Sequence, residues 1–198
     1  MTHYFHTPQD PLVTHEFSAT IFGRELTFTA ARGVFSGGRL DLGTSVLLRE
    51  VEPPTSGHVL DLGCGVGTIA IGLAVASPAL TVDAVDVNDR ALELTGLNAR
   101  RHGVADRVRA LRPSEVDPAV AYDEIWSNPP IRIGKQALHE LLLMWLTRLT
   151  LDGAAYLVVG KNLGGDSLQR WLDDQGFPTG RVASAKGFRV LRVTPSSE

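Results

Sequence analysis

The 198-residue chain carries 19 lysines and arginines against 22 aspartates and glutamates, a formal net charge of -3, with 43% hydrophobic and 21% charged residues. Those proportions exclude disordered and fibrous classes, and the length suits one domain with a sizeable core. The single cysteine, Cys64, permits no internal disulfide, and the six histidines show no paired ligand spacing, so no metal is expected. The polar start lacks the pattern of a signal peptide, and the longest apolar run, residues 141–146, is too short for a bilayer, so no membrane contact and a cytoplasmic location are expected.

The acidic balance means that any grip on nucleic acid must be local. Arg100, Arg101, Arg107, Arg109 and Arg112 form one basic cluster and Arg181, Lys186, Arg189 and Arg192 another. Solvated surface charge is the plainer reading of both.

In chain order, residues 17–21 and 26–29 alternate apolar and polar around Gly23, which predicts a β-hairpin. A helix follows over about 42–51, and residues 1–52 read as an extension packed on a main sheet. From His58 onward strand and helix patterns alternate: strands at HVLDLG, LTVDAVDV, VRAL, DEIWSN and AAYLVVG, and helices at TIAIGLAVA, DRALELTGLNARRHG, KQALHELLLMWLTRL and DSLQRWLDDQG. The third of these helices is read as stopped by Asp152-Gly153. RVASAKGFRVLRV closes the chain as an antiparallel pair around Lys186-Gly187, with residues 186–193 as a surface strand. The fold class is α/β, a Rossmann-like, mostly parallel sheet over residues 53–198 in a single 1–198 domain.

Asp61-Leu62-Gly63-Cys64-Gly65-Val66-Gly67 stands between the first core strand and a helix, the place for a nucleotide loop. Glycines there allow a tight turn and close approach of a ligand. The third glycine, Gly67, comes one residue earlier than in the dinucleotide fingerprint, which argues against NAD. A pyrophosphate loop has no need of Asp61, whereas a cationic sulfonium and an amino group would be attracted to it. Asp86 ends the next strand at a separation that suits ribose hydroxyls, and is preferred to Asp83, inside the strand, and Asp89, at the following helix start. The plainer alternative is a bare strand-to-helix turn with Asp86 as a helix cap.

Ser127-Asn128-Pro129-Pro130-Ile131 follows the fourth core strand, at the same sheet edge as the glycine loop. Two prolines end the ladder and hold the chain extended. The Asn128 amide oxygen and the Pro129 carbonyl, which no intrachain turn need consume, could both accept hydrogens from one planar NH2 group and aim its lone pair at a methyl carbon. Positioning would then supply most of the catalysis.

With both motifs in place, the sequence resembles the class I methyltransferases of the small methyltransferase superfamily, most closely the RsmC-like group, which methylates guanine exocyclic amines in small-subunit ribosomal RNA. The resemblance rests on His3-Tyr4-Phe5, Gly33-Val34-Phe35-Ser36, Leu40-Asp41-Leu42-Gly43-Thr44, the glycine loop, Asp86-Val87-Asn88, the segment from Asn128 to Lys135, and Lys186-Gly187-Phe188-Arg189-Val190. It implies S-adenosylmethionine as cofactor, contacts to it at Asp61, Gly63, Cys64, Gly65, Asp86 and Val87, Thr44 closing over the methionine end, and Asn128 in the catalytic element. Members carry an acid beside the adenine after the third strand; here Ser114 and Glu115 are the candidates. The additional amino-terminal domain of the long members has no counterpart in these residues.

Ile131 stands where many adenine and glutamine amine methyltransferases carry an aromatic residue. Phe35 is read either as the missing stacking face or as a core residue, and Arg132 and Lys135 either as phosphate ligands or as helix caps. The leading expectation is an RNA guanine amine methyltransferase. A protein glutamine or small-molecule amine methyltransferase is the second reading, and a non-catalytic ribosome- or RNA-binding module the third.

Overall fold

The computed structural model describes residues 13–35 and 38–195, so His3-Tyr4-Phe5 and Ser36 lie outside the described residues. The chain opens with a two-stranded hairpin, β1 (Thr14–Ile21) and β2 (Arg24–Ala31), paired in register around Phe22-Gly23. Both turn residues take positive φ, 48° and 74°, the geometry that matches strand twist in two-residue hairpins. Helix α1 (Leu42–Glu50) follows, its first turn capped by the Asp41 side chain, which accepts from the Thr44 N–H at 3.1 Å.

The alternating core then runs β3 (Ser56–Leu62), α2 (Thr68–Ala76), β4 (Ala79–Val85), α3 (Asp89–Arg101), β5 (Val108–Leu111), β6 (Tyr122–Ser127), α4 (Lys135–Leu146), β7 (Leu149–Gly160), α5 (Gly165–Asp174), β8 (Thr179–Ala185) and β9 (Phe188–Val193). Seven strands form one sheet in the order β5-β4-β3-β6-β7-β9-β8, parallel from β5 to β7 and antiparallel at β9 and β8. Strand order reverses between β3 and β6, which opens a crevice at their carboxyl ends. The Rossmann-like expectation therefore holds.

One face of the sheet packs Val59, Val82, Trp126, Val158 and Val190 against α1, α2 and α3. The other packs Leu60, Ile125, Leu157 and Leu191 against α4 and α5. Helix α2 is apolar all round because it is covered on its outer side too, by the hairpin. Three sequence expectations need correction. The hairpin leans on α2 and α3 as well as reaching Trp126 of the sheet through the Phe22 ring at 6.4 Å. Asp152-Gly153 does not stop α4, which ends at Leu146; both residues lie inside β7, in a bulge of residues 150–153 opposite Asp123 of β6, so the strand begins at Leu149. Residues 188–193 are not a surface strand but lie between β7 and β8, leaving β8 at the edge. The solvated reading of the basic clusters holds for the exposed Arg100, Arg101, Arg109, Arg112, Arg181, Lys186 and Arg192, although Arg109 also clamps Asp83 at 2.7 and 2.9 Å; Arg107 donates to the Ala74 carbonyl, and the buried Arg189 pairs with Asp166.

Asp83 shows what that clamp does. Burial opposes its charge, but hydrogen bonds from His58, Arg109 and Tyr122 outweigh it and hold the carboxyl below its ordinary range. Its oxygens are consumed inside the fold, on the opposite sheet face from α2.

Gly72 lies mid-helix in α2, where glycine is normally unfavourable, because a Cβ there would stand 2.6 Å from Ile21 Cγ2 of the hairpin. Gly72→Ala is therefore expected to destabilise the protein by about 1–2 kcal/mol despite its better helix propensity. In an Ile21→Ala background the same change should turn neutral or stabilising, as read by urea unfolding; equal costs in both backgrounds would refute the packing argument.

Candidate active site

The glycine loop is held from below and from the side. Gly63 and Cys64 donate to the Val85 carbonyl at 2.8 and 3.1 Å, which docks the turn on the end of β4. Gly63, Gly65 and Gly67 all take positive φ, and a Cβ on Gly67 would press on Ile71 and Thr95 at 3.0 Å. At Gly63 a Cβ would meet nothing within 4 Å and would project into the open cleft. Thr95 of α3 donates its hydroxyl to the Gly65 carbonyl at 3.1 Å. Asn98, one helical turn on and fully buried, donates to the carbonyls of Val66 and Thr29 and accepts from the Thr29 N–H, so one amide couples the loop to β2. Asn98 and Thr95 share the buried stripe of α3 with Ala91 and Leu94, and polar residues on an apolar helical face are the signal by which they were readable.

Two carboxylates converge here. Asp61 is fully buried; one oxygen accepts from the Ala70 N–H in the first turn of α2 at 3.0 Å, and the other, Oδ1, has no partner among the described residues. Burial pushes its pKa up to about 7, the Ala70 bond works the other way, and the nearby Asp86 charge adds to the rise. Asp86 accepts from Gly65 N–H at 3.0 Å and Asn88 N–H at 2.9 Å, bridging the two loops; burial raises its carboxyl above the ordinary range. The cap of α3 is Asn88, not Asp86. A buried carboxylate oxygen without a partner among the described residues, beside a second acid and under a glycine turn that lines an open cleft, suits a cationic amino and sulfonium group. Cys64 faces the same cleft with its thiol buried and pushed upward by that burial, inert as a nucleophile.

Asn128 lies across the same cleft, which Phe35, Thr44, Gly63, Cys64, Gly65, Val66, Thr68 and Ile69 also line. The ends of β3 and β6 are tied by the Ser127 hydroxyl, which donates to the Leu62 carbonyl at 2.7 Å in full burial. The Asn128 amide nitrogen donates to Asp41 Oδ1 at 2.7 Å and to Thr44 Oγ1 at 3.1 Å. Because a carboxylate only accepts, the amide orientation is settled, and its oxygen is left without a donor among the described residues. Asp41 was legible as a helix cap; its reach across 87 residues to Asn128 was not. Pro129 departs from expectation: its carbonyl accepts from the Ile131 N–H at 2.8 Å, across an inverse γ-turn at Pro130 (φ -75°, ψ 74°). The turn consumes one lone pair and leaves the second.

The remaining candidates fall at the mouth or beyond it. Phe35 is 43% exposed, a cleft residue and not a core one, and Val87 is exposed beyond Asp86. Ile131 is partly buried against the α4 side of the core, while Arg132 and Lys135 are exposed at the turn and helix start after β6. Ser114 and Glu115 are both exposed after β5, and one Glu115 carboxylate oxygen turns back to accept from the Arg112 N–H at 2.7 Å.

Residues 25–192 match the methyltransferase small domain family. The chain belongs to that family. It is an S-adenosylmethionine-dependent methyltransferase. It is similar to the uncharacterized protein YbxB of Bacillus subtilis (strain 168), 32% identical over 181 residues that cover 89% of this chain and 90% of that protein. Over 120 residues it is 37% identical to ribosomal RNA small subunit methyltransferase C of Acinetobacter baumannii (strain AYE), covering 60% of this chain and 36% of that protein. The chain thus spans about a third of the length of that relative. Among solved structures it resembles the Thermus thermophilus (T. Thermophilus) 16S rRNA N2 G1207 methyltransferase (RsmC) in complex with AdoMet and guanosine, with a TM-score of 0.81 at 24% identity over 95% of this chain and 52% of that one. No helix among the described residues is long and apolar enough to cross a membrane.

An acid whose folded pKa is raised stabilises the fold least when ionised: relative to its unfolded value of 3.8, Asp61 loses stability as pH climbs from about 4 to about 7, by roughly 4 kcal/mol in all. Asp61→Asn is therefore expected to raise the melting temperature of the ligand-free protein at pH 8, with the gain shrinking towards pH 5. A variant less stable than the parent at pH 8 would contradict the strain assigned to this carboxylate.

Proposed function

We propose that the protein transfers a methyl group to the exocyclic amine of guanine in small-subunit ribosomal RNA. The observation that carries this reading is the locked Asn128 amide, whose oxygen is left open in the cleft that the glycine loop lines. In this reading Asp61 meets the cationic methionine end, the Gly63, Cys64, Gly65 and Gly67 backbone gives the close approach, Asp86 the ribose hydroxyls, Val87 and Ser114 the adenine side, and Thr44 the methionine side. When bound, S-adenosylmethionine supplies an electrophilic methyl group on a cationic sulfur. Asn128 Oδ1 and the second lone pair of Pro129 accept the two hydrogens of the substrate amine, and Pro130 keeps that pair of acceptors stiff. Held so, the nitrogen lone pair points at the incoming carbon, and positioning lowers the barrier. Phe35 offers a face for the base, Ile131 an aliphatic wall, and Arg132 and Lys135 positive charge for the RNA backbone.

The ribosomal RNA substrate is supported by the named relatives and by the guanosine bound in the neighbouring structure. A protein or small-molecule amine as acceptor is favoured by the net charge of -3.

Labelled methyl transfer to unmethylated small-subunit RNA, or to its particle, tests the reading. Asn128→Ala is expected to lower kcat on the order of a hundredfold while cofactor affinity persists. Product destroyed by protease and resistant to ribonuclease would overturn the RNA assignment. Asp41→Ser keeps a good helix cap but is too short to hold Asn128. It should lower kcat about tenfold with little change in melting temperature or cofactor affinity; an unchanged kcat would remove Asp41 from the positioning of Asn128.

A further inference from the structure

Strand β9 starts where β7 ends, Phe188 opposite Gly160, so the β8–β9 turn reaches the same sheet edge as Asn128. The Lys161 N–H donates to the Gly187 carbonyl at 2.8 Å, which fixes the residue after β7 against that turn. The turn is in contact with the site through two steps. Phe188 packs on Gly43, where even a Cβ would stand 2.9 Å from its ring, and Gly43 lies in the first turn of α1, between the Asp41 and Thr44 side chains that hold Asn128. In the sheet, β7 and β9 are one and two strands from β6, about 5 and 10 Å.

Lys161 and Lys186 are exposed there and take part in no ion pair among the described residues. The nearest acid on α5, Asp166, is already engaged by Arg181 and Arg189, so it does not neutralise them. Lys186 and Gly187 take φ of 48° and 81°, the same two-residue hairpin turn as Phe22-Gly23, at the tip of the β8–β9 pair. Two exposed lysines at the sheet edge that carries Asn128, in a chain of net charge -3, form a local positive patch.

We propose that Lys161 and Lys186 form a phosphate-binding rim that holds the backbone of single-stranded RNA beside the reacting nucleotide, on the β7–β9 side of the cleft. This rests on the RNA reading above and extends it to residues outside the Asn128–Lys135 segment. Lysines act on phosphates as point charges, and unpaired RNA needs both such charges and an apolar face; Phe35 and the 60%-exposed Leu163 lie at the same edge. An acidic protein surface would find the two charges but has no use for the exposed ring of Phe35 in the cleft that Asn128 lines.

The test is binding of a fluorescent single-stranded RNA, followed across salt concentrations, to the parent and to Lys161→Gln/Lys186→Asn. Asparagine suits the left-handed turn better than lysine, so the fold should be unharmed and its melting temperature equal or higher. The rim predicts that the slope of log K against log salt falls by about 0.7 for each lysine removed, with affinity for S-adenosylhomocysteine unchanged. If the parent methylates RNA and the variant keeps the parental slope, the rim is overturned while the RNA reading stands. If the parent neither methylates nor binds RNA, both fall; if polyglutamate competes as well as polyuridylate, the rim is a site for acidic protein and the proposal is wrong.

Discussion

The buried hydrogen bond from the Ser127 hydroxyl to the Leu62 carbonyl joins the two strand ends on which everything at the cleft depends. Backbone pairing between β3 and β6 is recorded only through Asp61 and Trp126, so beyond that level this side-chain bond holds the glycine loop and the asparagine-proline segment at one height. Parallel neighbours at a reversal of strand order leave both following loops on one edge, a property of topology and not of any one residue. Around that fixed pair the hairpin, α1 and α3 add restraints from further along the chain. Asn98 ties β2 to the loop, and the cap of α1 ties Asp41 and Thr44 to Asn128.

The same cleft concentrates electrostatic cost. Asp61 is buried and Asp86 half-buried beside it, each raised in part by the loss of solvent, and Asp61 Oδ1 has no donor among the described residues. Asp83, by contrast, is as buried as Asp61 but satisfied by Arg109, Tyr122 and His58, and its carboxyl is lowered. Two neighbouring acids on the same sheet thus differ by whether the fold answers them. The unanswered one is the natural place for a cation from outside, and its strain is a penalty carried by the ligand-free protein.

How far this was legible from sequence depended on the range of the interaction. Period-two and helical patterns gave the hairpin, the alternating elements and the closing antiparallel pair, because each is written in a contiguous stretch. The limits of α4 and β7 were misread because Asp152-Gly153 has turn composition yet is absorbed by a bulge set by β6, a partner distant in sequence. The arginines of the first cluster are mostly exposed, as their composition suggested, but partners such as Asp83 for Arg109 come from other strands and were not legible. At the site, the glycine loop, Asp61, Asp86 and Asn128 were readable from type and spacing. The γ-turn that occupies Pro129 was not, since it depends on one ψ angle, and neither was Asp41, whose local role as a cap conceals its contact with Asn128.

The most direct measurement is a crystal structure of the protein with S-adenosylhomocysteine and guanosine. The proposed arrangement predicts the amino group of the homocysteine end at Asp61, the ribose at Asp86, and the guanine amine at Asn128 Oδ1 in the one cleft. A homocysteine end seated away from Asp61, or a purine amine that makes no contact with Asn128, would contradict it.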